Sequence, residues 1–317
     1  MMDRRQLLGF TLGAGAALGL GARIAGAAGP TGLQHRLIPS SRELIPVIGL
    51  GSSATFRTVA QGEDVAALRE VLDVLVARGA TVFDTAPSYG ASEEVAGRLA
   101  RELGITQKIF WATKVNVAAR GGGSADPAAA RAQIEESFRR FGVTTMDLIQ
   151  VHNLGDVPVQ LGILKELKEA GRVGCIGVTS TSKGQYPELV RVMREEPLDF
   201  VGVDYAVDNR DVEETILPLA IERKIAVMVY VPFGRTRLFQ RVSGRPLPDW
   251  AAEFDAASWA QFFIKYVLGH PAVTVVTPAT SKASHMLDNI GGGIGRLPDA
   301  AMRRRMAEFI DALPPAG

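Results

Sequence analysis

The sequence predicts a (β/α)₈ TIM barrel: one α/β domain of eight parallel strands, with an N-terminal hairpin and extra C-terminal helices. Three observations lead there. From residue 45 onward, short apolar runs alternate with longer amphipathic stretches, and there are eight such runs. Strand-plus-helix units of roughly thirty residues are the unit of the right-handed parallel crossover. The length of 317 residues suits one large barrel as well as two smaller domains. An open, doubly wound sheet is the alternative architecture. Its dinucleotide fingerprint is incomplete, because Gly49-Leu50-Gly51 lacks the third glycine at its proper place.

Residues 1–29 read as an address, with the barrel domain occupying 30–317. Arg4 and Arg5 precede an apolar run rich in Gly and Ala, and Ala25-Gly26-Ala27 has the small residues of a cleavage site. The run is too short and too Gly/Ala-rich for a good spanning helix. Asp3-Arg4-Arg5-Gln6-Leu7-Leu8 is similar to a twin-arginine export signal, which implies the twin-arginine export machinery as partner and a periplasmic or secreted mature protein beginning near Ala28. A retained anchor or a tail is the alternative. With one cysteine, Cys175, no intramolecular disulfide can form, which suits folding in a reducing compartment before export.

Next, residues 37–44 suggest a hairpin or cap ahead of the barrel. The expected strands are 47–50, 81–84, 109–114, 147–152, 175–179, 200–204, 226–230 and 274–277. Between them, residues 64–77 carry Val65, Leu68, Val71, Leu72 and Leu75 at helical spacing before the stop at Gly79. Asp126 and Pro127 are an N-cap and first-turn pair for a helix closed by Gly142. Residues 159–170 form a helix ending at Gly171, and 212–223 another. The longest interruption, 232–255, holds Phe233, Phe239, Trp250 and Phe254 and reads as a binding loop.

Several functions are disfavoured by composition. A net charge of +1 with scattered Lys and Arg gives no footprint for nucleic acid or an anionic membrane. His35, His152, His270 and His285 are far apart and no Cys/His ligand spacing exists, so no metal site is expected. Cys175, in an apolar run, reads as a small core residue.

Chemistry in a barrel collects where strands run into the loops that follow them. The second strand ends in Asp84, followed by the turn carrying Tyr89; the third ends in Lys114 and the fourth in His152. Adjacent strands lie about 4.8 Å apart, so these groups can converge. Taken singly, Asp84 reads as a cap, Lys114 as solvated, Tyr89 as a packed ring and His152 as a core histidine. Together at matching strand ends they read as a site. A hydride delivered to a carbonyl carbon leaves an oxygen that needs a proton. Tyrosine, with a reference pKa of about 10, needs help to give one. An ammonium at about 4 Å, in an effective dielectric near 20, stabilises the phenolate by at most about 4 kcal/mol. Asp84 would keep Lys114 charged and oriented, and His152 would hydrogen-bond the carbonyl oxygen.

The segments Phe83-Asp84-Thr85-Ala86-Pro87-Ser88-Tyr89-Gly90, Thr113-Lys114 and Asp147-Leu148-Ile149-Gln150-Val151-His152 resemble the Asp, Tyr, Lys and His motifs of the aldo-keto reductases. The likeness runs from Pro46 to the C-terminal helices. It implies an NADPH-dependent reductase of a small aldehyde or ketone with Asp84, Tyr89, Lys114 and His152 as catalytic residues. The segment Tyr230-Val231-Pro232-Phe233-Gly234-Arg235 is similar to the family's cofactor loop, which implies that Tyr230 stacks on the nicotinamide and that Pro232, Gly234 and Arg235 adjoin it. Thr280, Ser281, Lys282, His285, Asp288 and Asn289 resemble the segment for the 2′-phosphate and adenine. The chain departs from the family where nicotinamide's carboxamide is held. Its Ser-Asn pair is Thr179-Ser180, whose hydroxyls can substitute, and its strand-six glutamine is Gly202. A nucleotide-binding sensor or partner protein with little turnover is therefore the alternative function. Phe56, Trp111, Phe233 and Trp250 are candidates for an apolar substrate wall, and equally for ordinary packing.

Overall fold

The computed structural model describes residues 27–29, 31–62 and 64–314. The paired arginines and apolar run of the expected export signal lie outside the described residues. Its last residues do not: β1 (Ala27–Ala28) pairs antiparallel with β2 (Gln34–Leu37), which pairs with β3 (Leu44–Pro46). Among the described residues Ala27–Ala28 already pair in a sheet, ahead of the boundary expected at residue 30, and the expected hairpin is the β2–β3 pair.

The barrel strands are β4 (Gly49–Gly51), β5 (Val82–Asp84), β6 (Phe110–Val115), β7 (Met146–Val151), β8 (Val173–Ser180), β9 (Phe200–Asp204), β10 (Ala226–Tyr230) and β11 (Val273–Val276). They lie side by side in chain order, all parallel. Parallel bridges Ile48 to Val276 and Gly51 to Ala279 bring the last strand to the first. Each of the eight expected strands is present, within two residues of its expected ends.

Strand alternation divides the side chains between two cores. Val82, Phe110, Leu148, Phe200 and Met228 fill the inside of the barrel with Cys175, and Ile38 and Ile45 of the hairpin join that cluster at the strand N-termini. Burial pushes the Cys175 thiol up to about 12, as befits a packed residue. The intervening residues, Phe83, Trp111, Ile149 and Ile176 among them, face outward into the larger cluster under the helices. Because side chains alternate with period two, the same registers that bury Val82, Phe110 and Leu148 turn Asp84, Lys114 and Gln150 into the barrel's upper end.

Helices cover this sheet. The helix α1 (Thr55–Ala60) follows β4, and α2 (Ala66–Ala77) buries Leu68, Val71, Leu72 and Leu75. Asp64 Oδ1 accepts the Ala66 amide at 2.9 Å. The helix α3 (Ser92–Glu102) packs against α4 (Pro127–Phe141). Asp126 caps α4 through the Ala128 amide, and Gly142 ends it at φ 69°, a left-handed position that glycine takes without strain. Next come α5 (Val157–Glu169), α6 (Tyr186–Glu195) and α7 (Ile216–Arg223). The last is shorter than expected, because Asp211–Glu213 is a separate 3₁₀ turn. The segment 232–255 is not bare loop: it contains α8 (Arg237–Arg241) and a 3₁₀ helix, Asp249–Phe254. Then α9 (Trp259–Leu268), α10 (Ala283–Gly291) and α11 (Ala300–Asp311) complete the chain. No helix among the described residues is long and apolar enough to cross a membrane.

Candidate active site

One cavity of about 600 Å³ lies between the hairpin, Pro271 and the 295–302 segment, at the strand N-termini. Another, about 540 Å³, opens at the strand C-termini, the chemical end of such barrels. Asp84, Tyr89, Lys114, His152, Thr179, Tyr230, Pro232 and Arg235 all line the second.

Its floor is an ion pair. The Lys114 ammonium donates to Asp84 Oδ1 at 2.8 Å, to Asp84 Oδ2 at 2.9 Å and to the Thr85 carbonyl at 2.7 Å. Those bonds use its three protons, so Lys114 acts on its neighbours here through charge. Both side chains are almost wholly buried, and removal from water pushes the Asp84 carboxyl up while Lys114 pulls it back. The ammonium lies 5.5 Å from the centre of the Tyr89 ring and 5.1 Å from that of Tyr230.

Tyr89 sits on the turn after β5, its ring edge-on to His152 at 5.9 Å. Burial raises its phenol above 10; Lys114 lowers it, Asp84 raises it, and Arg235 and Arg120 lower it. The phenol therefore keeps its proton at neutral pH. His152 is pushed the other way, down to about 3, by burial first and then by Lys114 and Arg120. It is neutral, and its Nδ1 is buried without a partner. Since no group among the described residues fixes the tautomer, an oxygen entering the cavity can select the one that donates to it.

Ser52 Oγ, Thr85 Oγ1 and Gln150 Oε1 are likewise buried without partners at this end of the barrel. Such orphans cost stability, and, unlike His152, none of these residues lines the cavity. The backbone carries strain here too. After β10, Val231 lies at φ 54°, Arg235 at 54° and Thr236 at 79°. A β-branched residue at positive φ is uncommon, and each such position costs about 1–3 kcal/mol.

Tyr230 explains one departure in the sequence. Its phenol accepts from Gln150 Nε2 at 2.9 Å and reaches Asp84 Oδ1 at 3.4 Å. A Cβ on Gly202 would stand 2.6 Å from the ring's Cε2 and 2.7 Å from its hydroxyl. Glycine at 202 makes the room that Tyr230 fills. The other substituted position is divided. Thr179 Oγ1 lines the cavity and accepts the Asn153 amide at 3.0 Å, but Ser180 Oγ bonds Gln185 Oε1 at 2.9 Å and is outside the lining. Ser180 is thus committed elsewhere, contrary to the expectation that its hydroxyl substitutes.

The expected phosphate segment lies beyond the cavity. Gly234, at φ 57°, shapes the turn before Arg235. Thr280 Oγ1 accepts the Lys282 amide at 3.1 Å and Ser281 is half-buried between them. Lys282 and His285 are exposed at the start of α10. Asp288 is tied to α9 by Ser258 Oγ and Gln261 Nε2, each at 2.8 Å, and Asn289 is buried. Of the four aromatic candidates for a substrate wall, only Phe233 lines the cavity; Phe56 and Trp111 are core, and Trp250 packs on Phe254, Phe262 and Phe309.

Sequence reasoning gave no role to Gln150, Asn153, Asn116, Arg57 or Arg120. Gln150 was legible from alternation, two residues before His152. Asn153 stands at φ 54°, a conformation that favours Asn, and Arg120 stands before a Gly-Gly-Gly run after β6.

A probable aldo-keto reductase of Glycine max is 27% identical over 286 residues, covering 77% of this chain and 78% of that protein. The holo form of an aldo-keto reductase from Bacillus halodurans superimposes with a TM-score of 0.69 at 22% identity, covering 88% of this chain and 96% of that one. An aldo/keto reductase from Klebsiella pneumoniae, solved in complex with NADP and acetate, gives 0.65 at 22% identity over 89% and 96%. At such identities the structural likeness speaks for the barrel. The sequence pattern of the aldo/keto reductase family matches residues 47–306, the span that carries both the eight strands and the Asp84–Tyr89–Lys114–His152 cluster, and the chain belongs to that family.

Proposed function

We propose that the protein is an NADPH-dependent reductase of aldehydes or ketones, with Tyr89 as the proton donor. The observation that carries this reading is a protonated phenol facing a cavity, with no acceptor among the described residues and a buried ammonium behind it. The nucleotide, when bound, supplies the hydride. The chain supplies the rest. His152 donates to the carbonyl oxygen and aligns it, Tyr89 gives that oxygen its proton, and the Lys114 charge stabilises the phenolate left behind. Asp84 holds the Lys114 ammonium in place through both carboxylate oxygens.

A dinucleotide suits the residues present. His152, with its unpartnered Nδ1, lines the cavity, Tyr230 offers an aromatic face above Gly202, and Arg235 stands on the β10 turn with Lys282 beyond it. The Klebsiella relative's complex with NADP supports the same assignment. Thr179 remains for the carboxamide. With Ser180 turned away and Gly202 lacking a side chain, that contact is thin, which favours a second reading as a nucleotide-responsive partner protein. Tyr89→Phe separates the two. The reductase reading expects turnover to vanish with NADPH affinity nearly unchanged; turnover that persists removes Tyr89 from its role, and a wild-type protein that binds without turnover is the partner protein.

We also infer export in folded form, with the nucleotide loaded beforehand. The support is the Arg4-Arg5 motif ahead of an apolar run. Changing both arginines to lysine should retain the protein in the cytoplasm, and continued export would contradict the inference.

A further inference from the structure

Three arginines border the cavity: Arg57 on α1, Arg120 after β6 and Arg235 after β10. Among the described residues none has a carboxylate or carbonyl partner. Arg42, Arg78 and Arg194 are unpartnered among those residues too, but they lie outside the cavity, and many other arginines are held by carboxylates. Arg237 takes Asp208 through two bonds at 2.7 and 2.8 Å, Arg140 takes Glu93 at 2.8 Å and Arg303 takes Glu213 at 2.7 Å. The one carboxylate lining the cavity, Asp84, is consumed by Lys114.

The three do not share one task. Arg235 stands on the cofactor side under the reading above. Arg120 lies across the cavity, on the loop that leaves β6, the strand of Lys114. Its charge acts on both Tyr89 and His152, so it is within Coulombic reach of the reacting end. Two amide side chains share that wall, Asn116 on the same loop and Asn153 after β7, and neither side chain has a partner among the described residues. Gly121 and Gly123, at φ 69° and 86°, let the loop after Arg120 turn sharply. The wall beside Lys114 and His152, on the loops after β6 and β7, is therefore cationic and amide-rich, with Phe233 on the loop after β10.

We propose that Arg120, with Asn116 and Asn153, forms an anion subsite, and that the substrate is a small carbonyl compound bearing a carboxylate: a keto acid or an aldehyde acid. This rests on the reductase reading. A planar guanidinium pairs a carboxylate through two parallel bonds, which orients as well as attracts. Held there, the carboxylate fixes the distance from which its own carbonyl reaches Tyr89 and His152.

The test compares 4-formylbenzoate with its methyl ester, the same aldehyde with and without the charge. The wild type should reduce the acid with a kcat/KM about tenfold above the ester, the scale of one charge-assisted bond at a solvated site. Arg120→Ala should bring the acid-to-ester ratio to about one, and Arg120→Lys should retain part of it. Raising salt should shrink the ratio in the wild type only. A wild-type ratio near one overturns the proposal, as does a ratio that survives Arg120→Ala or falls only in Arg57→Ala. If neither aldehyde is reduced, the reductase reading has failed, and calorimetric titration of the two compounds into NADPH-loaded protein judges the subsite alone. Preferential binding of the acid that Arg120→Ala abolishes supports it; equal binding refutes it.

Discussion

Replacing Lys114 with methionine keeps the length of the side chain and deletes its charge. The consequences for stability and for chemistry can be worked out separately. On stability, three donated bonds of 2.7–2.9 Å disappear and Asp84 is left buried without a partner. Removing one member of such a pair costs about 3–5 kcal/mol, lessened to the extent that Asp84 takes up a proton. On chemistry, the ammonium stands 5.5 Å from the Tyr89 ring centre. At an effective dielectric of about 20 its attraction for a phenolate there is about 3 kcal/mol, or about two pKa units. The proton transfer should slow about a hundredfold. The double variant Lys114→Met with Asp84→Asn removes the stranded charge and should recover most of the stability. It should recover none of the turnover. Urea unfolding followed by tryptophan fluorescence reads the first quantity, and NADPH oxidation with a saturating aldehyde reads the second. A double variant that regains turnover to within about tenfold of wild type would refute the role given to the Lys114 charge. A single variant losing less than about 1 kcal/mol would refute the buried pair.

Other predictions follow from particular contacts. Gly202→Ala places a Cβ under 3 Å from the Tyr230 ring, so it should cost about 1–3 kcal/mol in thermal unfolding and alter NADPH affinity; an unchanged melting temperature would contradict the close packing. Lys282→Ala should raise the NADPH dissociation constant more than that of NADH in fluorescence titration, and equal effects would remove Lys282 from the 2′-phosphate. Two histidines set a pH dependence: burial holds His152 at about 3 and His270 at about 4, both below the unfolded value of 6.5. Their stabilising contribution is present above 6.5 and is lost as pH falls, because the unfolded chain takes up protons first; each should remove up to about 2 kcal/mol between pH 8 and 5. His270→Asn should remove about half of that decline while keeping an acceptor for the Ala272 amide, which His270 Nδ1 accepts at 3.2 Å. An equally steep decline in this variant would contradict the assignment.

The barrel was legible because parallel strands buried on both faces read as apolar runs, and all eight stood where such runs do. The caps at Asp126 and Gly142 were legible because each has a local cause. The tetrad was legible because each member ends a strand or opens its turn, so position along the chain translates directly into position in space. What escaped depends on contacts between distant segments. Nothing local to Ser180 announces that Gln185 takes its hydroxyl, or that Asp288 accepts from Ser258 and Gln261. The fate of Gly202 is settled by Tyr230, a residue of the neighbouring strand. Trp250 and Phe233 share one aromatic segment, yet one packs on α9 and α11 while the other lines the cavity. Arg120 drew no notice because a single arginine before glycines has no periodicity and no motif; only its place on the cavity wall, a three-dimensional fact, marks it.

The most direct test of the central claim is a single turnover with NADPH deuterated at C4 of the nicotinamide and 4-formylbenzoate as acceptor, the alcohol product being examined by mass spectrometry. Deuterium on the carbinol carbon in the wild type, and no alcohol from Tyr89→Phe while NADPH still binds, is the predicted result. Unlabelled alcohol, or labelled alcohol formed equally well without the Tyr89 hydroxyl, would contradict hydride reduction with Tyr89 as the acid.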